Sequence, residues 1–318
     1  MKRKPCFRWG SIVLAALWAA WLIPGCAQGV RLTYDPDPGR PLEYRAQERI
    51  SGVGSIQGVP HQFVESHTLY YRLEHLKSEQ RGPRLMRLTC SRFISENDLP
   101  SRPRRSFDSQ DEDLLAREAY APMTMLLQRP VTIALNDDGS IELVDGIDGA
   151  ARSIAQALGE GPQADELAKR LADVLRSDFL LRLLHLRFPP LPAGRVSPGR
   201  SWHANRTWSD PLLGDLELRT RYTLERLEGR HDSLAIISFS ADIAPLIDEL
   251  EFPANDLHGV KYEVEVGSLA GTMVLDRHEG VVVSIESTTQ VRLTFEHEGE
   301  PRRVGLAFER SLSTETVH

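Results

Sequence analysis

Cysteine is scarce in this chain, basic charge runs short, and long apolar runs are all but missing. Each shortage removes a class of explanation. Of the three cysteines in 318 residues, Cys6 and Cys26 fall at the amino-terminal end. Cys90 is left alone in the body, so no internal disulfide holds the fold and a hydrophobic core must do so. Basic residues number 38 against 45 acidic ones, and residues 1–25 carry four of the basic and none of the acidic; without them the balance is 34 against 45, net −11. That sign disfavours nucleic acid as a partner. Catalytic signatures are lacking as well. There is no HExxH and no GxSxG, and in "GVGSIQG" Gln57 stands where a dinucleotide fingerprint needs its third glycine. "DPDPG" lacks the third acidic ligand of a calcium loop, and Ala46 stands at its twelfth position. The closest histidines, His61 and His67, are six apart, about 20 Å along a strand, too far to share a metal, and are expected at the surface.

What remains of the chemistry is bland. Glu263 and Glu265 alternate with Tyr262, Val264 and Val266, as on a solvent-facing strand. "SRPRRS" reads as a solvated basic loop, and Cys90, following Met86 and Leu88 on one strand face, reads as a buried, inert thiol. The expectation is a protein that is not an enzyme and uses no cofactor and no metal. A hydrolase assembled from residues distant in sequence stays open.

The one long uncharged run lies near the start. Lys2, Arg3, Lys4 and Arg8 precede fourteen residues from Gly10 to Ile23 without a charge. That is the order of a secretory signal, and it is too short to span a bilayer comfortably, which takes about 20 residues. Leu22, Ile23, Pro24, Gly25 and Cys26 resemble the lipobox of bacterial lipoproteins, with Pro24 departing from the usual pattern. The resemblance implies cleavage before Cys26 and lipidation of its thiol. By resemblance to enterobacterial lipoproteins, Ala27 in second place, rather than Asp, implies the outer membrane, with the protein facing the periplasm.

Behind Cys26, residues 26–40 hold Pro36, Pro38 and Gly39 and read as a lipidated tether. From Leu42 onward Tyr44, Ala46, Glu48 and Ile50 alternate against charged neighbours, the period of a half-buried strand. Similar runs occupy 63–76, 85–94 and 131–144, then 201–208, 216–227, 234–243, 260–275, 281–295 and 303–311. Two helical blocks interrupt them. A short helix is expected in "SFDSQDEDLLAREAYAPMTMLL", and a longer block over 148–188 ends in a segment apolar on every side, with Phe179, Leu180, Leu183 and Leu184. Those four are either core or a lid over a hydrophobic ligand.

The halves echo one another. "YRA" at Tyr44 answers "WHA" at Trp202, "YRLEHL" at Tyr71 answers "YTLERL" at Tyr222, and "TIALNDDGSIELV" at Thr132 answers "TMVLDRHEGVVVSI" at Thr272. The preserved order points to a duplicated β-meander. The expected organisation is a signal peptide at 1–25, the tether at 26–40, a first meander with a short helix at 41–147, a helical connection at 148–200 and a second meander at 201–318. Residues 41–318 form one folded unit. The fold class is mainly β (α+β): a curved antiparallel sheet or half-barrel with helices packed on one side.

"FDS" at Phe107, the "RPVTIALNDDGSIELVDG" hairpin, and "FPPLPAGRVSPGRSW" leading into "RYTLERLEG" resemble a group of uncharacterised bacterial envelope lipoproteins. The architecture is more distantly similar to the half-barrel of the periplasmic lipoprotein carriers LolA and LolB, which implies an apolar cavity under a helical lid. The functional expectation is a membrane-anchored lipoprotein that binds or carries a lipid or other hydrophobic ligand. The alternative is an envelope scaffold that binds protein partners through exposed strands.

Overall fold

The structure is a computed structural model that describes most of residues 29–317, apart from several loops and most of the segments 112–128 and 159–186. Alternation of apolar and polar residues makes long strands, and antiparallel pairing of sequence neighbours arrays them. The first half contributes β1 (Leu42–Ile56), β2 (Val59–His75), β3 (Arg84–Asp98), β4 (Arg105–Asp108), β5 (Val131–Leu135) and β6 (Ile141–Asp145). The helix α1 (Ile147–Leu158) follows, and then β7 (Ser201–Asp210), β8 (Gly214–Glu228), β9 (Leu234–Pro245), β10 (Val260–Asp276), β11 (Val281–His297) and β12 (Arg303–Thr316). All twelve belong to one open antiparallel sheet in the order β6-β5-β3-β2-β1-β12-β11-β10-β9-β8-β7, with β4 on the β3 edge above β5.

The chain thus begins at the centre of the sheet, meanders to one edge, crosses to the opposite edge and meanders back to meet β1. The register supports the duplication. Tyr44 faces Tyr71 across β1 and β2, and Trp202 faces Tyr222 across β7 and β8. Both pairs stack, with ring centroids 5.4 and 5.6 Å apart. Strands β1-β2-β3-β5-β6 and β7-β8-β9-β10-β11 share order and direction, which makes the sheet a tandem repeat with β12 as the seam between units.

One face of the sheet carries the core. Its lower end, where β1 starts and the β2–β3 and β10–β11 turns lie, is packed closed. Residues 30–34, expected as part of a tether, are built into it: Val30 bridges to Val196, and Leu32 and Tyr34 are buried. The reason is period-2 alternation of Val30, Leu32 and Tyr34, which offers the core three side chains before the prolines turn the chain. The strap is locked by Gly280, at φ +61, whose carbonyl accepts the Asp35 N–H at 3.1 Å; a Cβ there would sit 2.3 Å from the Asp35 nitrogen. The Pro-rich stretch after Phe188 is pinned by three side chains. Tyr34 Oη donates to the Pro189 carbonyl, Trp202 Nε1 to that of Pro190 and Arg206 to that of Phe188. In α1, Ile147, Ala151 and Ala155 form the buried stripe at spacing four, while Asp148, Arg152 and Gln156 face out.

The "FDS" motif is a clip. Phe107 is buried, Asp108 pairs with Arg92, and Ser109 exchanges two 2.9 Å hydrogen bonds with the Phe93 backbone. The first residues of the expected short helix are therefore strand β4, and most of its remainder lies outside the described residues.

Candidate ligand-binding face

The inner face divides into three levels along the strands. At the bottom the space is filled, with a void of about 20 Å³ bordered by Tyr34, Tyr44, Leu73, Met86, Phe188 and Arg187. Arg187 is a fully buried cation whose guanidinium lies 3.4 Å from the centre of the Tyr44 ring and donates to the Val282 carbonyl. Pi faces and a carbonyl hold its charge there, with no carboxylate paired to it among the described residues. Burial pushes the phenols of Tyr34 and Tyr71 above the ordinary tyrosine range, so both stay protonated, Tyr34 as the donor to the Pro189 carbonyl. This level is structural.

The middle level is a polar belt on an otherwise apolar face. Cross-strand register sets Ser95 of β3 beside His67 of β2, and His67 beside Glu48 of β1. On the far side of the seam Arg310 of β12 neighbours Thr289 of β11. Glu48 and Arg310 form an ion pair at 3.4 Å with side chains only 3% and 6% exposed. His67 stacks on Phe93 at 5.8 Å and lies 3.9 Å from Glu65, so it is half-buried rather than a surface residue. The reason is that its strand position points inward, level with the belt. Ser95, His67 and Glu48 stand in a row, yet the Ser95 hydroxyl bonds Asn97 and Glu48 meets Arg310. No hydrogen-bonded Ser–His–carboxylate relay is assembled among the described residues.

Above the belt the inner face is mainly apolar and less tightly covered, with Glu65 across from Ile50 and His61 across from Gly54 as polar residues on it; His61, like His67, is half-buried rather than a surface residue. Ile50, Phe63 and Leu306 are half-buried, Val291, Leu293 and Phe308 lie beside them, and Val59 at the β1–β2 hairpin is 54% exposed. Gly52 lets the Phe63 ring lie flat on β1, since a Cβ there would meet it at 2.6 Å. The opposite face of the sheet is polar. Over the middle strands it forms an open trough of about 850 Å³ lined by Gln47, Arg49, Thr68, Glu96, Thr288 and Ser311, among others.

Of the residues singled out in the sequence, Cys26, Phe179, Leu180 and Leu183 lie outside the described residues. Leu184 is completely buried and belongs to the core at the closed end. Cys90 is buried in the same core, and burial pushes its thiol up to about 12. Glu265 is exposed, as its alternation suggested. Among the described residues no group of three or more His, Cys, Asp or Glu side chains is placed to hold a metal, and no helix is long and apolar enough to cross a membrane. Arg187 and Arg310 escaped notice in the sequence. For Arg310 a signal existed, because it occupies an inward position between Phe308 and Leu312.

The chain belongs to the family of unknown function DUF6263, which it matches over residues 94–282. No curated protein matches it in sequence. Among solved structures it is similar to a chain described under "Lipid-protein interactions in lipovitellin", with a TM-score of 0.51 and 11% identity over 89% of this chain. It spans only 26% of the lipovitellin chain, and at that identity the likeness is one of fold: a large open antiparallel sheet. Two further matches carry no argument. DynF from the dynemicin biosynthesis pathway of Micromonospora chersina has a TM-score of 0.22 at 6% identity, over 91% of this chain and 89% of its own. An outer membrane channel from Pseudomonas putida F1 has 0.20 at 7%, over 92% and 99%.

Proposed function

We propose that this protein is a non-catalytic, lipid-anchored envelope protein that holds a lipid or another amphiphile on the upper inner face of its sheet. The observation that carries the reading is the division of that face. Its lower end is packed solid, whereas above the Glu48–Arg310 belt Ile50, Phe63 and Leu306 remain half-buried and Val59 exposed. An apolar surface rimmed on one side by buried polar groups suits a molecule with an apolar tail and a polar head. The lipobox-like Cys26 supports the anchor, and the chain enters the fold at the closed end beside Val196. Strands of 15 residues then hold the hairpin end about 50 Å away at roughly 3.3 Å per residue. The fold likeness to part of a lipovitellin chain, whose structure is described for its lipid-protein interactions, is consistent with such a cargo.

The test is titration of the full chain with cis-parinaric acid, followed by its fluorescence. The reading expects saturable binding that weakens at least tenfold in Phe63→Ser with Leu306→Ser, at unchanged far-UV circular dichroism. Binding that is absent, or indifferent to both substitutions, would sink it.

A further inference from the structure

The tandem repeat says what the free edge of β7 is built to receive. In the first unit, β1 pairs with β2 on one side and with β12 on the other. Its equivalent β7 pairs with β8 and, among the described residues, with nothing else, so it ends the sheet. The Val317 N–H bonds the Glu43 carbonyl, which assigns the odd-numbered residues of β1 to β12 and the even-numbered ones to β2. In β7 the Leu224 N–H bonds the Arg200 carbonyl, placing even-numbered residues against β8. With Tyr44 equivalent to Trp202, the two assignments agree. Ser201, His203, Asn205 and Thr207 therefore turn their backbone N–H and C=O groups to the open edge, and all four are exposed.

We infer that the β7 edge is a docking site for an extended segment of a partner protein, which adds antiparallel to the sheet as β12 adds to β1. This does not depend on the amphiphile reading. The seam also states the partner's chemistry. On β12 the inward residues Leu306, Phe308 and Leu312 alternate with small or acidic outward ones, and Glu315 pairs with Arg45 at 2.8 Å. The equivalent of Arg45 is His203. At the inward position Glu48 meets Arg310 across the seam, and the equivalent of Glu48 is Arg206, of opposite sign. The segment that fits β7 alternates apolar and small polar residues; a carboxylate where β12 carries Arg310 places a negative charge beside Arg206, whose guanidinium also donates to the Phe188 carbonyl.

A synthetic peptide of residues 303–316 with Arg310→Glu is therefore the probe, read by fluorescence anisotropy against the full chain. Saturable binding is expected, weakened at least tenfold by Asn205→Pro. That substitution removes one edge N–H while leaving the β8 hydrogen bonds in place. N-methylation of the peptide at its Ser311 and Ser313 positions, which block the same ladder without touching the protein, should weaken binding equally. No binding, or binding insensitive to both changes, would overturn the assignment. So would a concentration-dependent dimer in sedimentation that Asn205→Pro dissolves, since the edge would then belong to a second copy of the chain.

Discussion

Removing one member of the Glu48–Arg310 pair should be far more damaging than removing both. The two side chains are 3% and 6% exposed and lie 3.4 Å apart on neighbouring strands at the seam between the halves. Glu48→Ala leaves a guanidinium in a site nearly shut off from water, and Arg310→Ala does the same to a carboxylate. Removing one partner of a buried ion pair costs about 3–5 kcal/mol. At about 2 °C per kcal/mol for a chain of this size, each single variant lowers Tm by roughly 6–10 °C. Glu48→Leu with Arg310→Met strands neither charge and keeps the volume apolar, so its stability should fall within about 1 kcal/mol of the parent or above it. Urea unfolding of the four proteins closes a double-mutant cycle, in which a coupling of at least about 2 kcal/mol is expected. Single-variant costs below about 1 kcal/mol, or additive ones, would refute the argument that the belt is dry and that the pair closes the seam.

Other consequences are simpler to read. Cys90 should resist iodoacetamide in the folded protein at pH 8 and react once urea unfolds it, because burial suppresses its thiolate; prompt labelling of native protein would contradict its placement. His75 should titrate below the usual histidine range, burial being the main cause and Arg84 the second. A depressed histidine favours the folded state above about pH 6.5, and that contribution is lost as pH falls through its folded pKa, so His75→Ala should flatten the pH dependence of Tm on the acid side of neutrality. Gly280→Ala meets both a positive φ and the Asp35 backbone, and should cost at least about 2 kcal/mol in urea unfolding by freeing the amino-terminal strap. A neutral result there would mean that residues 30–40 are not docked.

The sheet was legible because period-2 alternation is a local signal. All ten strand stretches read from the sequence appear as strands, and the three paired motifs mark equivalent places in the two units. What could not be read was which partners fill the face. The strap of Leu32 and Tyr34 hid among prolines and glycine, which break regular structure without preventing burial. Arg187 hid in an apolar helix block, where an arginine normally turns outward; the Tyr44 ring beneath it and the Val282 carbonyl make a buried position tenable. Glu48 was placed correctly on an apolar face, but its countercharge lies 262 residues further on, joined only when the second unit returns to the seam. The division of the inner face into a filled end and a less covered end depends on side-chain packing between distant segments, and no sequence period encodes it.

Native mass spectrometry of the full-length protein released from bacterial membranes tests the central claim most directly. The account predicts a covalent acyl mass on a chain beginning at Cys26, together with one non-covalently bound amphiphile that is lost from the Phe63→Ser, Leu306→Ser variant. A chain that carries no bound amphiphile, in parent and variant alike, would contradict it.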